Sequence, residues 1–575
     1  MTATADRTET RHPMFERHRE TLDRALTAIR ERTYWSAYSE MPSPSAYGES
    51  AADDGRAAFE AHRGQLLALD QPGTDGEAGG ERSPFGFDLD VRYPHVDAEL
   101  LLPAMAAAIP AWRDAGPDTR AGVCLEILDR LNKRSFEIGN AVMHTTGQAF
   151  LMAFQAGGPH AQDRGLEAVA YAYAEMTRHP RSAYWEKPQG KRDPLRLTKS
   201  FAVVPRGVAL VIGCNTFPTW NSYPGLFASL VTGNAIVVKP HHRAVLPLAI
   251  TVAVARETLA EAGFDPNLAA LVADGPGERL GSSLAKRPEV RIIDFTGSSA
   301  FGEWLEDEAR QAQVYTEKSG VNSVVIDSTD DFEGMARNIA FSVALYSGQM
   351  CTAPQNLLVP RDGITVGGER MSLKAVEQGI AHAIEELLAD PAKAVEVTGA
   401  IVNDDVLARL DQAPKLGRVV LESRSIEHPA FPEATVRTPL IVGLDAADEE
   451  IFGREHFGPI SFIVATDSTE HSLELSRRTG QHRGAITAAV YSTDEGVLRA
   501  AELAAQDVGV SLSENLMGNI WVNQSAAFSD FHATGANPAA NASLTDGAFV
   551  AGRFRIVQSR RPAVAPAETE SPVRT

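Results

Sequence analysis

The chain has 575 residues, 44% of them hydrophobic and 22% charged, with a formal charge of −21. That length exceeds one core and predicts two or three domains. The acidic balance disfavours nucleic acid or an anionic membrane as partner, since both need a cationic footprint. Three cysteines, Cys124, Cys214 and Cys351, cannot build a disulfide framework, and no CxxC pair points to a metal site. The first residues show no signal-peptide pattern and no run of roughly twenty apolar residues occurs, so a cytoplasmic, reduced, soluble protein is expected.

From Pro13 to Thr33 the period is helical, with Phe15, Leu22, Leu26 and Ile29 largely on one stripe. Met41 to Gly86 is rich in turn formers, with a helical patch around Ala57 to Leu69, and DQPGTDGEAGGERSP reads as loop. No chemistry is evident in this leading segment, which is expected to pack on the main body. Asp97 to Glu175 reads as successive helices, and Cys124 falls on an apolar side there. Ser182 to Val204 alternates polar and apolar around a turn, the pattern of a projecting hairpin.

After Gly207 strands and helices alternate: VALVIG, AIVVKP, LAALVADGPG and VRIIDFTGSS are each followed by a helical stretch. Four such units predict a doubly wound parallel sheet that binds its ligand at the strands' carboxyl ends. Gly275, Gly277 and Gly281 form GxGxxxG, not the usual dinucleotide fingerprint. A second alternating region follows, with VNSVVIDS, AVEVTGAIV, LIVGL, SFIVAT and GAITAAVYS as expected strands. GRFRIVQSRR is a last strand able to pair with the hairpin, and the final residues read as disordered.

Glu317 precedes Cys351 by 34 residues (351 − 317), and Cys351 lies in a small-residue turn, SGQMCTAP. Such a turn can aim backbone amides at a thiolate or an oxyanion. A thiol and a distant carboxylate base make a usable pair for covalent catalysis. Cys214, at the end of a buried strand, is the rival nucleophile.

The motifs together resemble the aldehyde dehydrogenase superfamily from Arg92 to Arg561. Phe217-Pro218 stands 21 residues (239 − 218) before the lysine of GNAIVVKP, followed by FTGSSAFG, the Glu317–Cys351 spacing and EHFGP. The resemblance implies an α/β fold with a Rossmann-type cofactor domain (91–181 and 206–318), a catalytic domain (319–549) and a β oligomerisation arm (182–205 and 550–562). A leading extension (1–90) and a disordered tail (563–575) complete it.

The resemblance also implies roles. Cys351 would attack an aldehyde, and Glu317 would activate water against the resulting thioester. An Asn would hold the oxyanion, here Asn215, with Thr216 at the counted position. Lys239 and Glu455 would hold the ribose groups of the cofactor and Phe457 would pack near its nicotinamide. Thr296, Gly297 and Ser298 would lie close by; Gly277 and Gly281, from their spacing alone, read as either a further cofactor loop or a tight turn. Where NAD-preferring relatives often carry Glu, this chain has His242 between His241 and Arg243, which predicts NADP, with NAD as the alternative. Within the superfamily the chain is most similar to the PaaN-type proteins of phenylacetate degradation, implying a ring-opened semialdehyde substrate, free or as a coenzyme A thioester. A homodimer or homotetramer is expected. A coenzyme A-acylating enzyme and a catalytically silent binding subunit are the competing readings.

Overall fold

In the computed structural model the described residues are 12–275, 277–318 and 320–563. Residues 564–575, within the expected tail, lie outside them, as do Pro276 and Ser319. A five-stranded sheet is built from Val208–Ile212, Ala235–Lys239, Ala269–Leu271, Val290–Thr296 and Gln313–Glu317. All four pairings are parallel, in the chain order 3-2-1-4-5. Helices cover both faces of such a sheet, which is why VALVI and AIVV are unbroken apolar runs. The order reverses between the first and fourth strands, and a crevice opens there at the carboxyl ends. Lys239 and Thr296 end their strands at that edge. Pro218 and Pro247 sit in the first turns of the helices Pro218–Val231 and Leu246–Glu261, where a missing amide costs nothing.

A seven-stranded sheet forms the second layer system, in the order Arg418–Leu421, Leu440–Asp445, Ile460–Thr466, Asn356–Pro360, Ser323–Ile326, Thr487–Tyr491 and Ser511–Glu514. AVEVTGAIV, expected as a strand of it, is instead mostly the helix Pro391–Thr398. Asp390 caps that helix and Ala394, Val395 and Thr398 bury at helical spacing, which a short apolar window does not separate from a strand.

The hairpin Ser182–Gln189 and Arg192–Pro205 is joined by the strand Phe554–Pro562 along nearly its whole length. Tyr184, Leu195, Ile556 and Val557 of this sheet are exposed. At its root Arg553 is fully buried, donating to both oxygens of Asp294 at 2.8 and 2.6 Å and to Ser229 Oγ at 2.7 Å.

The leading segment is well integrated. The helix Pro13–Glu31 buries Phe15, Leu22, Ala25 and Ile29 against the helices Gly116–Lys133 and Ala161–Thr177. The helical patch lies earlier than expected, at Ala51–His62. The stretch read as loop contains a strand, Thr74–Gly79, paired antiparallel with Arg92–Val96; backbone pairing there overrides the poor strand propensity of TDGEAG. Buried Glu81 accepts from the amides of Val245 and Leu246 at 2.6 and 3.1 Å, capping the helix Leu246–Glu261. Burial outweighs these bonds and raises its carboxyl to about 7. Among the described residues no helix is long and apolar enough to cross a membrane.

Candidate active site

Cys351 follows a backbone that few residues adopt. Tyr346, Ser347 and Gly348 are all left-handed, with φ of 51°, 50° and 61°. Glycine tolerates this; the other two are costly and must be held by their surroundings. Ser347 Oγ donates to the carbonyls of Thr398 and Arg437, both at 3.1 Å, and the Tyr346 hydroxyl donates to that of Thr146. Beyond the turn, the Asn322 amide donates to the carbonyls of Cys351 at 2.8 Å and Ala353 at 3.0 Å. Its oxygen accepts from Ile486 and Thr487, tying the cysteine loop to the seven-stranded sheet.

Glu317 ends the last strand of the five-stranded sheet and its side chain is fully buried. The two sheets thus bring Glu317 and Cys351 together from opposite sides. His532 stands with them: its Nε2 is 3.2 Å from Glu317 Oε2 and 4.0 Å from Cys351 Sγ. Asn221 Nδ2 donates to the same carboxylate oxygen at 3.3 Å, and Cys214 Sγ donates to Asn221 Oδ1 at 3.6 Å. Trp220 closes edge-on over the His532 ring, 4.6 Å between centroids. Glu317 Oε1 is buried with no hydrogen-bond partner among the described residues.

These neighbours drive the two groups apart. Burial raises the Cys351 thiol well above its ordinary value, and the charges of Glu317 and Glu455 add to this. Burial also acts upward on Glu317, but His532, Cys351 and Asn221 together bring its carboxyl below the ordinary value. The result is a protonated thiol beside an ionised carboxylate, an acid and a base with distinct roles. The rival thiol, Cys214, is pushed to about 11, chiefly by burial. The Cys351 sulfur, the His532 imidazole and the Glu317 carboxylate lie within 4.8 Å of one another, a spacing that could also chelate a soft divalent ion.

Asn215 and Thr216 stand back from Cys351. Its side chain turns to the Thr145 carbonyl at 3.4 Å, and the Thr216 carbonyl accepts from Gln148 at 2.7 Å. Neither residue lines the cavity in front of Cys351, whereas Asn221 does. The signal was present as a second Asn followed by Pro, Trp220-Asn221-Ser222-Tyr223-Pro224, one turn into the helix. His532 carried no comparable signal.

That cavity measures about 300 Å³ and reaches from Cys351 to the leading segment, where Tyr34, Trp35, Ser36 and Glu40 form part of its wall. Trp220 and Trp521 line it. Tyr223 and Phe528 are core, and Phe531 lies outside under the Arg32 guanidinium.

The cofactor candidates distribute along the crevice. Lys239 ion-pairs with Asp274. Ser298 is the N-cap residue of the helix Ser299–Glu308, and its side chain makes no cap hydrogen bond. Thr296 ends its strand and the Gly297 amide donates to the Glu317 carbonyl at 3.0 Å. Gly277 has φ of 79° with open space where a Cβ would stand, and Gly281 opens a short helix. Glu455 and Phe457 line a small pocket beside Gly348 and Met350, next to the cysteine. The cationic turn at 241–243 is weaker than expected. Burial, with neighbouring cations, lowers His242 and takes His241 to about 3, so Arg243 carries the fixed charge, and its guanidinium donates to Val402.

Comparison with known proteins matches residues 92–536 to the model of the aldehyde dehydrogenase family. A crystal structure of an NAD-dependent aldehyde dehydrogenase from Burkholderia multivorans is 60% identical, with a TM-score of 0.95 over 97% of this chain and 100% of that one. The NAD(+) benzaldehyde dehydrogenase of Pseudomonas putida is 24% identical over 66% of this chain and 73% of its own. The 1-pyrroline-5-carboxylate dehydrogenase of Bacillus subtilis is 23% identical over 67% and 72%.

Proposed function

Since this chain belongs to the aldehyde dehydrogenase family and oxidises aldehydes to acids with NAD(P), we propose that its substrate is an aldehyde of aromatic-acid breakdown, a ring-opened semialdehyde of the phenylacetate type. The observation that carries the hydrolytic outcome is the buried Glu317 carboxylate facing Cys351 at the end of an aromatic-walled cavity. An enzyme passing its acyl group to coenzyme A has less use for a base there.

The helix N-terminus at Ser298, the open Gly277 and Lys239 at its strand end fit a dinucleotide in the crevice. A bound dinucleotide supplies the hydride acceptor. The chain's own residues do the rest. Cys351 Sγ adds to the carbonyl carbon, and its proton has Glu317 and His532 within reach. Asn221 offers its second amide hydrogen to the developing oxyanion, while the first stays on Glu317. Glu317 then takes a proton from the water that opens the thioester.

The purified chain is to be assayed with aliphatic, aromatic and ring-opened semialdehyde substrates, with and without coenzyme A. Dinucleotide reduction independent of coenzyme A is expected, lost by at least about 10⁴-fold in Cys351→Ala. Dependence on coenzyme A would favour the acylating reading, and no turnover of any aldehyde the silent one.

NADP is supported by Arg243 alone. The neutral imidazoles and Asp274 beside Lys239 favour NAD, because an acid repels a 2′-phosphate and accepts from a 2′-hydroxyl. A higher kcat/KM for NAD is therefore expected, and a ratio in favour of NADP would return the choice to Arg243.

The exposed apolar residues of the three-stranded sheet support its reading as an arm gripping a second copy of the chain. Val557→Glu is expected to raise the dissociation constant of the oligomer by roughly a hundredfold in sedimentation experiments. An unchanged sedimentation profile would remove the arm from the interface.

A further inference from the structure

The cavity in front of Cys351 has an unusual charge balance. Among the described residues, no lysine or arginine lines it, whereas Glu40, Asp163 and Asp530 do. Glu40 and Asp530 stand at the exposed end, Glu40 in contact with His160 at 2.8 Å. Asp163 lies deeper and accepts from Ser36 Oγ at 2.5 Å and the Ala37 amide at 3.0 Å, fastening the leading segment over the cavity. The nearest guanidiniums stand behind the wall. Arg164 is fully buried behind the Trp220 ring, and both it and Arg32 pair with Glu167 at 2.9 Å. Trp35, Phe217, Trp220, Trp521, Leu345 and Met350 supply apolar wall, with uncharged amides such as Asn519 and Gln524 between them.

A carboxylate carried into this space would lose water and find no lysine or arginine, since the two histidines of the wall, His160 and His532, are already paired with Glu40 and Glu317, and it would pass two acids on the way in. An uncharged organic group would lose little and gain aromatic contact. We propose that the cavity selects aldehydes whose organic part is uncharged over those bearing a carboxylate close to the aldehyde, and that residues 34–40 of the leading segment together with Asp530 impose this choice. The proposal rests on the reading of Cys351 as the group that meets the aldehyde. It also sets a condition on a coenzyme A thioester: the nucleotide phosphates must remain outside the mouth, with only the neutral acyl arm inserted.

Two measurements test it. The first compares kcat/KM for benzaldehyde and 4-formylbenzoate, which differ by one carboxylate. A preference of about a hundredfold for benzaldehyde is expected, narrowing to within about tenfold in the Glu40→Gln/Asp530→Asn double variant. Equal rates, or a preference the double variant leaves unmoved, would overturn the proposal. The second compares alkylation of Cys351 by iodoacetamide and iodoacetate, a neutral and an anionic reagent of similar size. Each rate is normalised to glutathione and the modified cysteine is located by peptide mass. At least a tenfold bias toward iodoacetamide is expected, and equal normalised rates would overturn the proposal. This second measurement needs no turnover. If neither aldehyde is oxidised but the alkylation bias holds, the substrate reading fails while the selection by charge stands.

Discussion

Glu317→Gln is expected to stop the enzyme after one turnover. With the carboxylate gone, Cys351 can still attack and be oxidised to the thioester, but the water that opens it loses its carboxylate base and only the His532 imidazole stands nearby. A burst of about one equivalent of reduced dinucleotide should precede a steady state slower by about 10²–10⁴-fold. The same substitution changes the thiol. The Glu317 charge is the second cause, after burial, holding Cys351 well above its ordinary value. Removing a negative neighbour favours the thiolate, so the pH profile of iodoacetamide modification should move to lower pH. A variant with neither a burst nor an earlier alkylation profile would show that Glu317 and Cys351 do not work as a pair.

The second large effect separates two asparagines. Asn221→Ala should lower kcat by about 10²–10³-fold, the usual loss for one oxyanion donor, with little change in substrate affinity. Asn215→Ala should remain within about threefold of the parent, since it loses only a 3.4 Å bond to a backbone carbonyl. The opposite ranking would restore Asn215 and require the loop after Val208–Ile212 to rearrange on substrate binding. The comparison is informative because the two residues lie six positions apart (221 − 215) on either side of Pro218. A general disturbance of the helix start would affect both.

Most of the framework was legible because it depends on local pattern. VALVI and AIVV are fully buried parallel strands, marked by their short length, their β-branched residues and the turn formers on either side. Pro247 and Gly263 bracket a helix as their backbone preferences require, Gly263 at φ of 83°. AVEVTGAIV failed because six apolar residues in a nine-residue window fit either period. Thr74–Gly79 failed because its strand comes from a partner already in place. The site shows the same division. Cys351 and Glu317 stand out by residue type and spacing. His532 arrives from more than 180 positions beyond Cys351 (532 − 351), on a loop with no period at all. The walls at Tyr34 to Glu40 come from a segment with no chemical signature. Only tertiary folding places such residues, and no window of sequence contains that information.

The buried Arg553 gives the end of the chain a structural duty. Asp294, which it holds, lies in the strand that delivers Thr296 to the crevice, and Ser229 lies on the helix that carries Asn221. One guanidinium therefore locks together the strand Val290–Thr296, the helix Pro218–Val231 and the foot of the projecting sheet. Cutting the chain before this residue would strand a carboxylate in an apolar interior, a cost of about 3–5 kcal/mol and a large share of a typical domain's stability. The outermost strand is thus a keystone: its foot is set into the wall that faces the chemistry, and shortening the protein from that end would be felt at the centre.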